Sequence, residues 1–393
     1  MRVDRSSFVG AGPTEEATEL LALTHEIAVR ELEPAAGEAE RAAAYPRDKI
    51  RLIGASGLLG LPFPEEYGGG GQPYELYVRV VEELARAWLA VGLTVSVHTL
   101  CCLPILTRGT AAQRTRLLPS MIGGERLGGY CLSEPEAGSD PAAMTTRAVR
   151  DGAGWRIDGM KAWVTHAGEA DFYLVFARTG AAGPGGISCF IVDADADGLQ
   201  LQPREKKMGL RASPTAGITF AGVRVPADAL IGAEGEGFAI AMGALDGGRV
   251  GVAACASGLA QAALDYAVSY AAERRQFGAP IIDFQGVGFL LADMATSVAA
   301  GRALYSVAAR RRDAGAAYSR DAAMAKLFCT DTAMRVTTDA VQVLGGAGYV
   351  EDHPVERWMR EAKVMQIFEG TNQIQRLVIA RSIAREAAGS AGD

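Results

Sequence analysis

Over most of residues 14–125, apolar side chains recur at about helical spacing. TEEATELLALTHEIAVRELEPAA shows this spacing, with acids in its first turn. DKIRLIGASGLLG predicts another helix, closed by glycines, and YELYVRVVEELARAW, LAVGLTVSVHTLCCLPIL and AAQRTRLLPSMIGGE predict three more. PFPEEYGGGGQP (62–73) predicts a loop, because proline and glycine do not hold a helix interior. The texture changes near residue 127. GWRIDGMKAWVT, DFYLVFAR, ISCFIVDAD, LQLQPRE and AGITFAGVRVP are short, rich in β-branched and aromatic residues, and bounded by Gly, Asp or Pro. They predict an antiparallel β domain. From about residue 234 four long helical patterns follow, beginning at GFAIAMGAL, IIDFQGVGF, SRDAAMAKL and TNQIQRLVI, joined by short links. Such neighbours predict a four-helix bundle. The expected fold class is therefore α+β, mostly α. An N-terminal helical domain (1–126), a middle antiparallel β domain (127–232) and a C-terminal bundle (233–393) are expected, with the tail SAGD disordered.

Composition narrows the function. A chain of 393 residues exceeds what one core usually holds, which fits several domains. The net charge of −7 argues against a nucleic-acid partner. No apolar run approaches the ~20 residues of a membrane span, so no membrane association is expected. MRVDRSSFVGAGPTEEATEL has no long apolar stretch and carries acids from Glu15, unlike a signal or transit peptide, so the expected compartment is the cytoplasm. Among the cysteines only Cys101 and Cys102 are close, and His25, His98, His166 and His353 lack ligand spacing, so no metal site is expected.

Several short stretches carry candidate chemistry. In YCLSEPEAGSD (130–140), a turn sequence, Ser133, Ser139 and the amides around Gly138 are potential donors to a polar ligand; the plainer reading is an interdomain loop. In KAWVTHAG (161–168), extended backbone would put Trp163 and Thr165 on one face. That pair suits a flat redox-active ring, although a core tryptophan beside a hydroxyl reads equally well. ERRQFGAPI (273–281) offers Arg274 and Arg275, either a solvated helix end or phosphate ligands, with Phe277 as a stacking surface. LDGGRVGVA (245–253) sets Arg249 in an apolar helix, as a paired arginine or a ligand group. QVLGGAGY and GAEGEGF are glycine-rich, but neither sits between a strand and a helix of a βαβ unit; they predict a helix C-cap and a turn. In IFEGTNQIQRL (367–377), Glu369 follows an apolar run and precedes a helix capped by Thr371 or Asn372. It is either a surface acid favouring the helix dipole or a general base in a dry pocket with a raised pKa.

Taken together, YCLSEPEAGSD, KAWVT, KKMGLRAS, FAGVRVP, RRQFGAPI, QVLGGAGY and IFEGTNQIQRLVIAR resemble the acyl-CoA dehydrogenase family in order and spacing, over nearly the whole chain. The resemblance implies the same three-part fold, FAD as cofactor, and α,β-dehydrogenation of an acyl-CoA thioester. Glu369 matches the base that takes the α-proton while a hydride leaves the β-carbon for flavin N5. Some members place the base at the position of Gly248, which cannot serve here. Tyr130, Leu132 and Ser133 match the segment along the flavin, with Gly138 and Ser139 in the adjoining loop, and Trp163 and Thr165 match the pair against the ring. Arg274, Gln276, Phe277, Phe284 and Gln285, with Gln342 and Gly346, match groups holding the FAD of a neighbouring subunit. Thr371 and Gln373 match contacts near the diphosphate and adenine. Ser139, Ser188, Asp246, Arg249 and Gly370 match positions that meet the substrate. The resemblance also implies a tetramer built from dimers and electron-transferring flavoprotein as acceptor. Glu136 departs from the family, standing where glycine is frequent. A short-chain or branched acyl group is expected from the LDGGRVGVA and SPT patterns. The competing readings are an oxidase or flavin-dependent monooxygenase on the same fold, the retained Glu369 arguing against the monooxygenase, and a flavin-free helical interaction protein.

Overall fold

A computed structural model describes residues 14–389; the N-terminal stretch before Thr14 and the tail SAGD lie outside the described residues. Six helices form the first part: α1 (Glu15–Ile27), α2 (Glu33–Ala42), α3 (Arg47–Ala55), α4 (Tyr74–Ala87), α5 (Leu89–Arg108) and α6 (Ala111–Ile122). Thr14 caps α1 by accepting the Ala17 N–H at 3.1 Å, and Thr110 with Gln113 forms a capping box on α6. The stretch expected as one helix over residues 14–36 is two, separated by a π-helical turn at Ala28–Leu32. Pro34 explains the change of pitch, since it has no N–H to give and its ring crowds the carbonyl of residue 30.

The middle part is an eight-stranded sheet: β1 (Gly128–Cys131), β2 (Arg147–Asp151), β3 (Gly154–Thr165), β4 (Phe172–Arg178), β5 (Ile187–Asp193), β6 (Leu199–Leu201), β7 (Thr215–Pro226) and β8 (Leu230–Ile231). The strands run in the order β6-β7-β3-β2-β4-β5-β8, with β1 on β4. The expectation of a wholly antiparallel domain needs correction. β1 pairs with β4 in parallel, from Gly128↔Phe172 to Cys131↔Val175, and β2 also meets β4 in parallel at Arg147↔Arg178. The chain leaves β1, forms the β2–β3 hairpin and returns to β4 in the original direction, a crossover that a parallel pair requires. Central β4 is buried from Phe172 to Ala177, which is why it reads as a continuous apolar run.

The third part contains α7 (Gly237–Glu273), a small hairpin of β9 (Arg275–Gln276) and β10 (Ala279–Pro280), then α8 (Gln285–Asp313), α9 (Ser319–Leu344), α10 (Val355–Met365) and α11 (Asn372–Gly389). The four long helices are the ones expected; α10 is an addition. α7 is the axis of the molecule, packed against α4, α5, α8 and α9. Its glycines permit the close approach: a Cβ on Gly258 would stand 2.2 Å from the Glu82 carbonyl oxygen, and one on Gly251 2.2 Å from Ser96 Oγ.

The statement that no apolar run reaches membrane length also needs correction. By length and composition α5, α7 and α8 each suffice to cross a bilayer. The most apolar window of α5 is 94% buried inside the fold and that of α7 72%, whereas the α8 window is only 22% buried by this chain. The first two owe their composition to core packing on all sides.

Candidate active site

The turn between α10 and α11 presents Glu369. Glu369 has φ +52° and Gly370 φ +87°, two successive left-handed residues, the first without the freedom of glycine. Thr371 then caps α11 by accepting the Ile374 N–H at 3.3 Å. Of the two capping candidates Thr371 is therefore the cap, while Asn372 turns inward and is only 3% exposed. Both Glu369 carboxylate oxygens are buried without a hydrogen-bond partner. They lie against the bare backbone of α7, where a Cβ on Gly248 would stand 2.2 Å from Oε2. Leu100 on α5 closes the same space, with Cδ1 3.1 Å from that point. Burial pushes the Glu369 carboxyl up to about 7, against the opposing pull of Lys326 and Arg249. The Glu369 N–H makes no hydrogen bond with the described residues. A carboxylate that titrates near neutrality, beside an unpaired amide in an apolar pocket, is equipped to take a proton from carbon while the amide holds developing negative charge.

The start of α7 lies alongside. Arg249 is 5% exposed and donates from Nη1 to Asp246 Oδ1 at 2.6 Å, and Ser319 Oγ donates to the same oxygen at 3.0 Å. The plainer reading of Arg249, a paired arginine, is thus realised, while its buried Nε has no partner among the described residues. Its guanidinium is enclosed beside Gly370, where it favours an ionised Glu369. The Tyr130 hydroxyl donates to the Ala241 carbonyl at 3.3 Å, tying β1 to α7.

A second cluster sits on the sheet. The Ala162 N–H donates to the Ser133 carbonyl at 2.9 Å, which brings YCLS against KAWVT. Trp163 is 64% exposed and Thr165 partly so, with Val164 buried between them. The two therefore share the outer face, but not by regular extension: Trp163 has φ +60° and the register slips between Lys161 and Val164. The bulge pushes the indole outward. Leu132 lies buried behind it, and Gly138 and Ser139 are exposed on the following loop. An exposed indole flanked by the Ser133 and Thr165 hydroxyls, neither bonded within the described chain, fits a planar flavin ring that needs a wall and donors.

Under this cluster lies a pair that the sequence reading missed. Lys161, fully buried, donates from Nζ to the Leu132 carbonyl at 3.0 Å and to Glu134 Oε1 at 2.9 Å. Glu134 also accepts the backbone N–H groups of Thr145 (2.7 Å) and Thr146 (2.9 Å). Burial would raise its pKa, yet Lys161 and these donors hold it down at about 2.

The remaining candidates lie elsewhere. Arg274 and Gln276 are exposed at the far end of α7, roughly 38 Å along the axis from Arg249 at ~1.5 Å per residue. The hairpin turns through Phe277 (φ +50°) and Gly278 (φ +83°), leaving Phe277 97% exposed, with its ring 6.1 Å from that of Phe284. Gln285 opens α8 beside it. Gln342 and Gly346 are exposed at the end of α9. His353, beyond them, bonds Tyr266 at 2.7 Å, placing that region at the same end of the bundle. Gln373 is exposed and Thr371 partly exposed beside the Glu369 turn. Ser188 is fully buried, its hydroxyl 2.7 Å from Thr179 Oγ1 and accepting the Gly235 N–H at 2.9 Å, so its side chain ties the approach to α7.

The comparisons with known proteins agree with this geometry. Models of the acyl-CoA dehydrogenase N-terminal, middle and C-terminal domains match residues 14–125, 129–223 and 235–384. A short-chain specific acyl-CoA dehydrogenase of Clostridium acetobutylicum is 41% identical over 374 residues, 95% of this chain and 99% of the relative. The structure of butyryl-CoA dehydrogenase from Megasphaera elsdenii superposes with a TM-score of 0.94 at 40% identity, covering 96% of this chain and 100% of that one. A chain in a structure concerning the electron transferring flavoprotein of Acidaminococcus fermentans gives 0.94 at 44% identity, with the same coverage. The class is that of a flavoprotein oxidoreductase with a helical, β and helical arrangement. The chain belongs to the acyl-CoA dehydrogenase family, and its reaction is acyl-CoA dehydrogenation.

Proposed function

We propose that this chain oxidises a short-chain or branched acyl-CoA to the trans-2-enoyl-CoA, with FAD as its flavin and Glu369 as the base. The observation that carries the reading is the buried, unbonded Glu369 carboxylate against Gly248. Its raised pKa suits removal of a weakly acidic α-proton near neutral pH. The Glu369 N–H donates to the thioester oxygen as charge builds there, an interaction worth roughly 3 kcal/mol for one good donor. FAD, when bound, accepts the β-hydride. Trp163, Thr165, Tyr130, Leu132, Ser133, Gly138 and Ser139 hold its ring side, and Thr371 and Gln373 its diphosphate and adenine side. Ser139, Ser188, Asp246, Arg249 and Gly370 border the substrate.

The short acyl preference is supported by α5. Leu100 abuts the Glu369 pocket, and one turn further along α7 Gly251 already touches Ser96, leaving little depth for a long chain. Arg274, Gln276, Phe277, Phe284, Gln285, Gln342 and Gly346 serve the FAD of another subunit in a tetramer of two dimers. The distance of the hairpin from Glu369 and its bare Phe277 support that role. The likeness to the chain from the A. fermentans flavoprotein structure supports electron-transferring flavoprotein as acceptor. The six cysteines are all free, which supports the reducing cytoplasm.

The test is an anaerobic titration of the yellow holoenzyme with acyl-CoAs of increasing length. Short chains bleach the flavin, and Glu369→Gln keeps the flavin but is not bleached. Bleaching of Glu369→Gln at the wild-type rate would sink the assignment.

A further inference from the structure

Glu369 occupies a backbone conformation that non-glycine residues avoid, so something must hold it there. The carbonyls of the turn show what does. Gln375 on α11 donates from Nε2 to the Glu369 carbonyl at 3.3 Å and to the Gly370 carbonyl at 2.9 Å. Lys326 on α9 donates from Nζ to the same Gly370 carbonyl at 2.9 Å and to Asn372 Oδ1 at 2.8 Å. Asn372 is fixed in turn, donating from Nδ2 to Thr330 Oγ1 at 2.9 Å and to Asp331 Oδ1 at 2.7 Å. Lys326 and Gln375 are both 0% exposed. An ammonium costs several kcal/mol to desolvate, which is a large outlay for a hydrogen bond to a neutral carbonyl.

We propose that Lys326, assisted by Gln375, is a positioning residue for the reaction: it draws the Gly370 carbonyl toward α9, so that the Glu369 carboxylate and the Glu369 N–H both face the substrate. The proposal rests on Glu369 being the base. Lys326 has a second effect through its charge. It makes no hydrogen bond to the Glu369 oxygens, yet it is the stronger of the two cations that favour the ionised form, ahead of Arg249. Other groups around the pair are Asp246 (bonded to Arg249) on α7, Asp331 (bonded to Asn372 and Gln366) on α9, and Cys101, Cys255, Tyr74 and Tyr130, whose pKa values burial raises. These thiols and phenols stay neutral through the range in which Glu369 titrates. Burial, with Arg249, pushes the Lys326 ammonium itself down to about 7, against Glu369 and Asp331, so its charge is present below pH 7, on the acid limb, and fades above it. Removing that charge therefore raises the pKa of the base and carries the acid limb of kcat to higher pH.

The experiment compares the holoenzymes of wild type, Lys326→Met, Lys326→Gln and Gln375→Met, with Glu369→Gln as control, using the acyl-CoA that bleaches the wild type. Flavin absorbance and Tm establish that each variant is folded and loaded. Lys326→Met is expected to lose about a hundredfold in kcat with KM changed less than about threefold. Its acid limb moves up by about one pH unit. Lys326→Gln, which keeps a neutral donor, regains part of kcat but keeps the displaced limb. Gln375→Met loses about tenfold in kcat without moving the limb. A folded, flavin-loaded Lys326→Met with the wild-type kcat and acid limb overturns the proposal. If neither Lys326 variant folds, Gln375→Met decides, and a wild-type kcat there overturns it. Activity retained by Glu369→Gln would instead refute the base assignment itself.

Discussion

Glu134 and Glu369 each carry a buried carboxylate near a fully buried lysine, Lys161 in one case and Lys326 in the other. In the sheet the lysine and two amides bond the carboxylate directly, and Glu134 is held at about 2. In the bundle the lysine bonds the neighbouring carbonyl, the carboxylate has no partner, and Glu369 is pushed up to about 7. Burial and an adjacent cation are common to both sites. Direct hydrogen bonding separates them: it makes the first glutamate a structural tie and leaves the second free to take up a proton.

The contrast is open to breaking. The largest effect is on rate, where Glu369→Gln is expected to lower reduction of the flavin by on the order of ten-thousand-fold in stopped-flow measurements, while Glu134→Gln leaves any folded enzyme active. Next comes stability. Glu134→Gln leaves Lys161 without its counter-charge and is expected to cost about 3 kcal/mol in chemical denaturation at pH 7. Because the folded pKa of Glu134 lies below its ordinary 4.5, that contribution is present above pH 4.5 and fades as pH falls toward 2.

Glu369→Gln should act in the opposite sense. The folded pKa of Glu369 lies above 4.5, so its ionised form weakens the fold as pH rises from 4.5 through 7. The substitution is expected to stabilise the protein by about 1–3 kcal/mol at pH 8, and the gain should vanish below pH 4.5. A stability loss at pH 8 would mean the carboxylate has partners. The smallest effect is geometric. Gly248→Ala puts a methyl 2.2 Å from Oε2, and displacing the carboxylate is expected to cost about tenfold in kcat with flavin still bound.

Much of this was legible in the sequence, for physical reasons that differ by element. The four long bundle helices and most of the N-terminal ones carry sustained periodicity. Glu369 stood out because an acid after Val364, Met365, Ile367 and Phe368 needs a reason. The parallel β1–β4 pair did not show, since alternation reveals a strand and not its partner. α10 went unread because it is short and its apolar positions are interleaved with charges, in VERWMREAKVM. Lys161 and Lys326 look like solvated lysines when read alone. Lys326 left one trace, the run of Ala322, Ala323 and Ala325 before it and Cys329 after it, all buried.

Gly248 borders the space filled by Glu369 Oε2, so a side chain at residue 248 and the Glu369 carboxylate compete for the same volume. With Glu369 as the proposed base, an acid gained at residue 248 would have to push the present carboxylate aside, and loss of Glu369 alone would empty the turn of its acid. Moving such a base from turn to helix therefore takes two coordinated changes, which makes the glycine as much a part of the arrangement as the glutamate.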